Sequence, residues 1–329
     1  MSTTEVDEQT DRAVPAAPSP AELAARLAAA LGRAIQGQPD VIETVITTVL
    51  ARGHLLLEDV PGVGKTTLAQ ALGRAISANV RRIQFTSDML PTDVTGLSVY
   101  DQETGQFVFH PGPIFANIII GDEVNRATPK TQSALLEAME EQSVTVDGHT
   151  HRLSEVFIVA ATQNPQDMAG TFALPEAQRD RFMTRISLGY PDAASELRIA
   201  LEQSGRRISQ STPLVASIAE VRAAQLAVGE VHLSDAVGAY LVDIIAATRA
   251  HPSIALGASP RATVHLSRMS RARAAVLGRS YVSPDDVAHL AAAVLAHRLV
   301  PRGRFARADE AARASTDVVA EILAGLPVR

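Results

Sequence analysis

The stretch Pro61-Gly62-Val63-Gly64-Lys65-Thr66-Thr67, which follows the apolar run Leu55-Leu56-Leu57, has the residue types of a phosphate-binding turn and holds one of only two lysines in 329 residues. Nearly all other positive charge is arginine. A compact ammonium, unlike a planar guanidinium, fits between β- and γ-phosphate oxygens. Gly62 and Gly64 lack a Cβ, so the backbone can turn tightly and aim successive N–H groups at phosphate, while a helix starting near Thr66 offers its positive dipole end. The Thr66 hydroxyl is then placed for Mg²⁺. Pro61, Gly62, Val63, Gly64, Lys65, Thr66 and Thr67 are therefore expected to bind ATP with Mg²⁺. The pattern G-x-x-x-x-G-K-[ST] asks for glycine at 59, where this chain has Asp59. On the motif alone, a Gly-rich strand-to-helix turn in an unrelated α/β protein is the competing explanation.

Two further constellations can share that phosphate. Ile118-Ile119-Ile120-Gly121-Asp122-Glu123 reads as a buried strand ending in adjacent carboxylates, and ligands in an open parallel sheet gather at the carboxyl ends of strands. Asp122 is expected to hold Mg²⁺ together with Thr66, and Glu123 to polarise the attacking water. The alternative is a helix cap with a surface glutamate beside it. Ala160-Ala161-Thr162-Gln163-Asn164-Pro165 ends the next strand, and if the two strands are neighbours the Asn164 amide falls beside Glu123, where it can orient water or sense a γ-phosphate. Taken alone, Asn-Pro is a turn initiator.

The elements that must position these groups alternate. Candidate strands are His54 to Glu58, Val80 to Phe85, Asn117 to Gly121 and Val156 to Ala161, apolar without strict alternation, as parallel strands buried on both faces are. Helices are expected over Ala21 to Gln36, Pro39 to Ala51, Thr66 to Ser77 and Thr128 to Gln142, giving a doubly wound α/β layer. Two hairpins interrupt it: Leu97 to Phe109, turning at Glu103-Thr104-Gly105, and Ser143 to Leu153, turning at Asp147-Gly148. Past a boundary near Gly189 to Asp192 come Ala-rich helices over Ala193 to Gln203, Leu214 to Val228, Ser234 to Arg249, Pro260 to Leu277, Pro284 to Arg298 and Ala308 to Leu323. Residues 1–20 read as a disordered tail, 21–190 as the nucleotide-binding domain and 191–329 as a helical lid.

A formal net charge of −6 argues against a protein that coats nucleic acid, and the absence of cysteine excludes disulfides and thiolate zinc sites. The start of the chain lacks the apolar core of a signal peptide and no stretch approaches a membrane span, so the cytoplasm is the expected location and no direct membrane insertion is expected. Arg268, Arg271, Arg273 and Arg279 are expected on a solvated or subunit-facing surface. His149 and His151 are expected as exposed strand residues; with no third ligand nearby they imply no metal.

Leu57 to Thr66, Leu90-Pro91-Thr92-Asp93-Val94-Thr95-Gly96, Pro113-Ile114-Phe115-Ala116-Asn117, Asp122-Glu123-Val124-Asn125-Arg126-Ala127, Thr162-Gln163-Asn164-Pro165 and Leu174-Pro175-Glu176-Ala177-Gln178 followed by Asp180-Arg181-Phe182 together resemble the MoxR-type AAA+ ATPases. The likeness is dense from Ala21 to about Leu188 and looser to near Pro301, where Gly257-Ala258-Ser259-Pro260-Arg261-Ala262 is similar to the family's second sensor. It implies an AAA+ P-loop αβα core with a parallel sheet, followed by an all-α lid. The first hairpin would be the helix-2 insert and the second the pre-sensor-1 insert. Glu123, Asn164, Arg181 and Arg261 would be the catalytic set, Arg181 as an arginine finger on a neighbour's γ-phosphate. Arg261 would be the sensor arginine, serving its own or a neighbouring site. Arg179 is the other candidate finger; the Asp180-Arg181-Phe182 triplet favours Arg181. The resemblance further implies a ring, with six subunits expected, and a partner carrying a von Willebrand factor A domain.

The function so implied is ATP hydrolysis that remodels or matures a partner protein complex, in the manner of a chaperone. A nucleic-acid motor or loader of the same superfamily is the alternative, disfavoured by the acidic balance and scarce aromatics. A small-molecule kinase would need the phosphate loop alone, and a nucleotide-gated binding module would scarcely hydrolyse.

Overall fold

The computed structural model describes residues 17–58, 63–163, 171–190, 197, 212–305 and 307–327. Helix α1 (Pro20–Gly32) begins at a reciprocal cap: the Ser19 hydroxyl accepts from the Glu22 N–H, and the Glu22 carboxylate accepts from the Ser19 N–H at 2.9 Å. It ends at Gly32, short of the expected Gln36, and its Leu23, Leu27 and Leu31 are fully buried. Helix α2 (Pro39–Leu50) leads into β1 (Leu55–Glu58). Then follow α3 (Lys65–Ala75), β2 (Val80–Gln84), a short α4 (Pro91–Thr95), and a hairpin of β3 (Gly96–Asp101) and β4 (Gln106–Pro111). After β5 (Ile118–Asp122) and α5 (Pro129–Glu141) comes a second hairpin, β6 (Ser143–Val146) and β7 (His149–Arg152). The layer closes with β8 (Ile158–Gln163), a single turn α6 (Glu176–Arg179) and β9 (Thr184–Ile186).

Five strands pair in parallel in the order β2-β5-β8-β1-β9. Leu55, Leu57, Ile118, Ile120, Ile158 and Ala160 bury on one face, while Leu56, Ile119, Val159 and Ala161 bury on the other. Successive side chains point to opposite faces, so a strand covered on both sides must be apolar throughout. The first face shares one apolar cluster with α1, α2 and the helices that follow residue 212; the second carries α5, the segments that flank the first hairpin through Val94 and Ile114, and the second hairpin through Val144. At the base of the first hairpin the chain passes itself so closely that a Cβ on Gly112 would lie 2.4 Å from the Val94 carbonyl oxygen. Only glycine fits there. Asp147 and Gly148 both take positive φ, 50° and 79°, as a two-residue Asp-Gly turn requires.

Beyond the sheet lie α7 (Ile218–Gly229), α8 (Asp235–Ala250), β10 (Ile254–Leu256), α9 (Pro260–Val276), α10 (Pro284–Leu295), β11 (Val300–Pro301) and α11 (Ala308–Gly325). The expected helix over Ala193 to Gln203 falls outside the described residues except at Leu197, and most of the expected tail does too. The helix expected from Leu214 starts at Ile218, because Ser217 caps it and the Val215 and Ala216 N–H groups instead donate to the Ala75 carbonyl at the end of α3. A short antiparallel ribbon, β10 with β11, joins the helices. Among the described residues no helix is long and apolar enough to cross a membrane.

Two expectations about charged surface need correcting. Arg273 and Arg279 are not solvated: both donate to Asp286, a carboxylate on α10 with no solvent exposure. His151 is half-buried and stacks on Phe109 of the first hairpin, ring centroids 4.0 Å apart, so it ties the hairpins together.

Buried histidine gives the body an acid limit. His54 Nδ1 accepts from the Val159 N–H at 3.0 Å and its Nε2 faces the Met139 carbonyl at 3.1 Å, which only the neutral ring protonated at Nε2 satisfies. Burial, opposed by that carbonyl, pushes its pKa down from 6.5 to about 4. The unfolded chain therefore takes up a proton near pH 6.5 that the folded chain refuses until about 4, so this stability is full above 6.5 and lost as pH falls through that window. The loss should approach ~1.4 kcal/mol per pH unit for this one group. Urea midpoints at pH 7, 6 and 5 should fall for the parent and fall less steeply for His54→Gln.

Candidate functional site

Gly64 caps α3 in a left-handed conformation, φ 99°, that side-chain-bearing residues rarely adopt. The helix therefore starts at Lys65, one residue earlier than expected, which puts Lys65, Thr66 and Thr67 in its first turn with Val63 just before. Pro61, Gly62 and Asp59 lie outside the described residues, as does Asn164. β1 runs into this loop, and its last residue Glu58 is in register with Gln163 of β8.

On the other side of β8, Gly121 is in register with Ala161, so the ends of β5 and β8 are adjacent and bring Asp122 and Glu123 beside Thr162 and Gln163. The neighbour relation expected of these strands holds. Asp122 is buried; its Oδ1 accepts from the Thr162 hydroxyl at 3.3 Å and its Oδ2 from Arg82 Nε at 2.5 Å. Glu123 takes a left-handed backbone, φ 56°, its N–H donating to Thr162 Oγ1 at 3.0 Å. Its carboxylate accepts from Gln84 Nε2 at 2.9 Å and pairs with Arg126 at 3.1 Å. Both carboxylates thus meet side chains of β2, Asp122 through Arg82 and Glu123 through Gln84, while Thr162 of β8 bonds the Asp122 side chain and the Glu123 backbone.

A hard divalent cation suits the oxygen donors available here, the Asp122 carboxylate and the Thr66 hydroxyl. Magnesium is ordinarily held by one or two protein oxygens with phosphates and water supplying the rest. The Arg82 guanidinium resting on Asp122 shows that positive charge is accommodated at this carboxylate. Among the described residues no group of three or more acids, histidines or cysteines could hold a metal alone, so phosphate oxygens would have to complete the set.

The remaining predicted residues lie at the opposite edge of the sheet. Met183 N donates to the His54 carbonyl and Thr184 is in register with Leu55, so residues 180–183 sit at the amino ends of the strands. Arg181 there donates through Nη1 to the Leu136 carbonyl at 2.7 Å and to Glu140 at 2.6 Å. Arg261, second residue of α9, pairs with the other oxygen of the same Glu140. Asp180 accepts from Ser259 at 2.8 Å and from Arg298 Nε at 2.8 Å. Arg298, almost wholly buried, also donates to the carbonyls of Asp180, Phe182 and Met183. Burial pulls its guanidinium down to about 10, Asp180 opposing, so it stays charged at neutral pH. Arg179, the other finger candidate, pairs only loosely with Glu176 at 3.8 Å.

Arg82, Gln84, Glu140 and Arg298 were not singled out from sequence. Each acts through a partner at least 39 residues away, in most cases on another element, and no local spacing marks them.

A parallel sheet whose carboxyl edge gathers paired acids beside a left-handed glycine and a lysine-led helix, followed by a helical lid, defines the class of P-loop α/β nucleotide-binding proteins. Comparison with known proteins narrows this. The model of the ATPase family associated with various cellular activities (AAA) matches residues 54–184, and the AAA lid domain model matches residues 246–322. Chaperone MoxR1 of Mycobacterium tuberculosis is 39% identical over 277 residues, covering 82% of this chain and 73% of its own length. Uncharacterized protein YeaC of Bacillus subtilis is 46% identical over 278 residues, covering 84% and 87%. A crystal structure from Cytophaga hutchinsonii, of a protein assigned as an ATPase, superposes with a TM-score of 0.84 at 34% identity, over 94% of this chain and 96% of that one. The chain belongs to the MoxR family of AAA+ ATPases.

Proposed function

We propose that this protein hydrolyses ATP with Mg²⁺ in a ring of its own copies, six by family resemblance, and uses the cycle to remodel or mature a partner protein complex in the cytoplasm. Its body, residues 21–190, and its lid, 191–329, act as two units. Lys65 and the loop from Pro61 to Thr67 bind the triphosphate, Thr66 and Asp122 hold the metal, Glu123 polarises water and Asn164 orients it. The metal, when bound, supplies charge neutralisation at the phosphates.

The observation that carries the assembly is the placement of Arg181 and Arg261 on the amino edge of a sheet whose carboxyl edge bears the phosphate loop. Strands of three to six residues at ~3.3 Å per residue separate those edges by more than an arginine spans. Both arginines therefore serve the site of the next subunit, not their own. The name of the mycobacterial relative supports a chaperone role, and the resemblance supports a partner with a von Willebrand factor A domain.

Glu123→Gln tests this. It keeps a side chain of the same shape but removes the base, so it should bind ATP, stay assembled and hold the client. Affinity capture with ATP and Mg²⁺ should retain a protein complex that the Lys65→Ala variant does not. Capture of nucleic acid alone would overturn the proposal in favour of a nucleic-acid motor.

A further inference from the structure

Glu140 joins two cations that come from different parts of the chain, Arg181 from the turn before β9 and Arg261 from the start of α9. It takes one oxygen to each. Among the described residues, Arg181 uses only Nη1, shared between Leu136 and Glu140, and Arg261 uses only Nη2 for its carboxylate partner. Each guanidinium is thus held by one end of its fork, with the rest of its donors uncommitted, and each side chain stays about a third exposed, 29% and 34%. Two cations on one carboxylate leave net positive charge facing outward. Such a pair suits an anion with several oxygens, such as a terminal phosphate.

We propose that Glu140 is a positioning residue: it aligns Arg181 and Arg261 as one preformed clamp for the nucleotide of the adjoining subunit. Without it the two guanidinia repel and separate, since nothing else among the described residues bridges them. The contact also couples lid to body, because Arg261 belongs to one and Glu140 to the other. A carboxylate that blocked the arginines would engage both ends of each fork, which this one does not.

The inference rests on the arginines acting between subunits, and a mixing experiment separates the two ideas. Glu140→Ala alone should lower kcat of the assembled protein by about tenfold or more, with KM for ATP changed by less than about twofold, since misplacing a group is a turnover defect when binding lies elsewhere. Glu140→Gln, which can still accept from one arginine, should fall between. Mixed with Glu123→Gln subunits, which are hydrolysis-dead but carry an intact clamp, Glu140→Ala subunits should regain turnover above that of either variant alone. Faster turnover by Glu140→Ala would overturn the proposal, as would failure of this mixture where Arg181→Ala with Glu123→Gln succeeds. Failure of both mixtures, with assembly verified by light scattering, would instead remove the intersubunit role on which it stands.

Discussion

Arg181→Ala should bind ATP and assemble, yet turn over some 10³ to 10⁵ times more slowly, the usual worth of a cation supplied to a transferring phosphoryl group by a neighbour. The nucleotide contacts proposed for Lys65, Thr66 and Asp122 lie at the far edge of the sheet from this residue, so nothing in ATP affinity should change beyond about twofold. Removing the side chain takes a second donor from the Leu136 carbonyl, which lies within α5, and leaves the part-exposed Glu140 with Arg261 alone, so the fold should tolerate it. Steady-state hydrolysis at concentrations where the parent is assembled, together with nucleotide titration by calorimetry, separates the two quantities. Unchanged turnover would transfer the finger role to Arg179, whose substitution should then show the loss.

Asp286→Ala should cost the folded chain about 3 to 5 kcal/mol, because it strips a buried carboxylate from two largely buried arginines, leaving Arg273 the longer contact to Glu43 at 3.3 Å. Arg279 grips Asp286 with two nitrogens at 2.6 and 2.7 Å, Arg273 adds a third contact at 2.8 Å, and the Ser283 N–H and hydroxyl complete the cap of α10. Burial, which alone would raise the carboxyl's pKa, is outweighed by these donors, which hold it at about 2. The folded value lies below the ordinary 3.8, so this stabilisation is present above pH 3.8 and disappears as pH falls through about 2. Urea unfolding at pH 7 should show the loss in the lid helices. Asp286→Asn, which keeps one of the two acceptor oxygens, should lose less. A midpoint unchanged by Asp286→Ala would mean that the arginines find solvent at no cost.

Much of the site was legible because its signals are local. A lysine after Gly-Val-Gly, apolar triplets ending in Asp122-Glu123, and an Asp-Gly turn each act through neighbours a few residues away, and the register of β1, β5 and β8 then follows from parallel pairing. Other features were not legible, for reasons equally physical. Thr184–Ile186 is three residues long with Arg185 at its centre, too short for any apolar period, yet it forms an edge of the sheet because β1 offers it a ladder. Arg273 and Arg279 look like solvated helix charges until α10 brings Asp286 against them. Glu140 sits in an acidic helix end, Glu137 to Glu141, where sequence cannot tell the one glutamate that meets two arginines from those that meet water. Charge pairings of long sequence separation leave no spacing to read.

Arg298 has a mechanical corollary. It comes from the end of the α10 segment, yet it grips the carbonyls on either side of Arg181 and is sealed from solvent while doing so. Tilting these helices must drag the turn with it, as a crank drags a shaft. In the ring proposed above, a subunit that rocked its helices on releasing product would thereby retract or present Arg181 toward its neighbour before its own pocket refilled, and firing around the ring would acquire a direction.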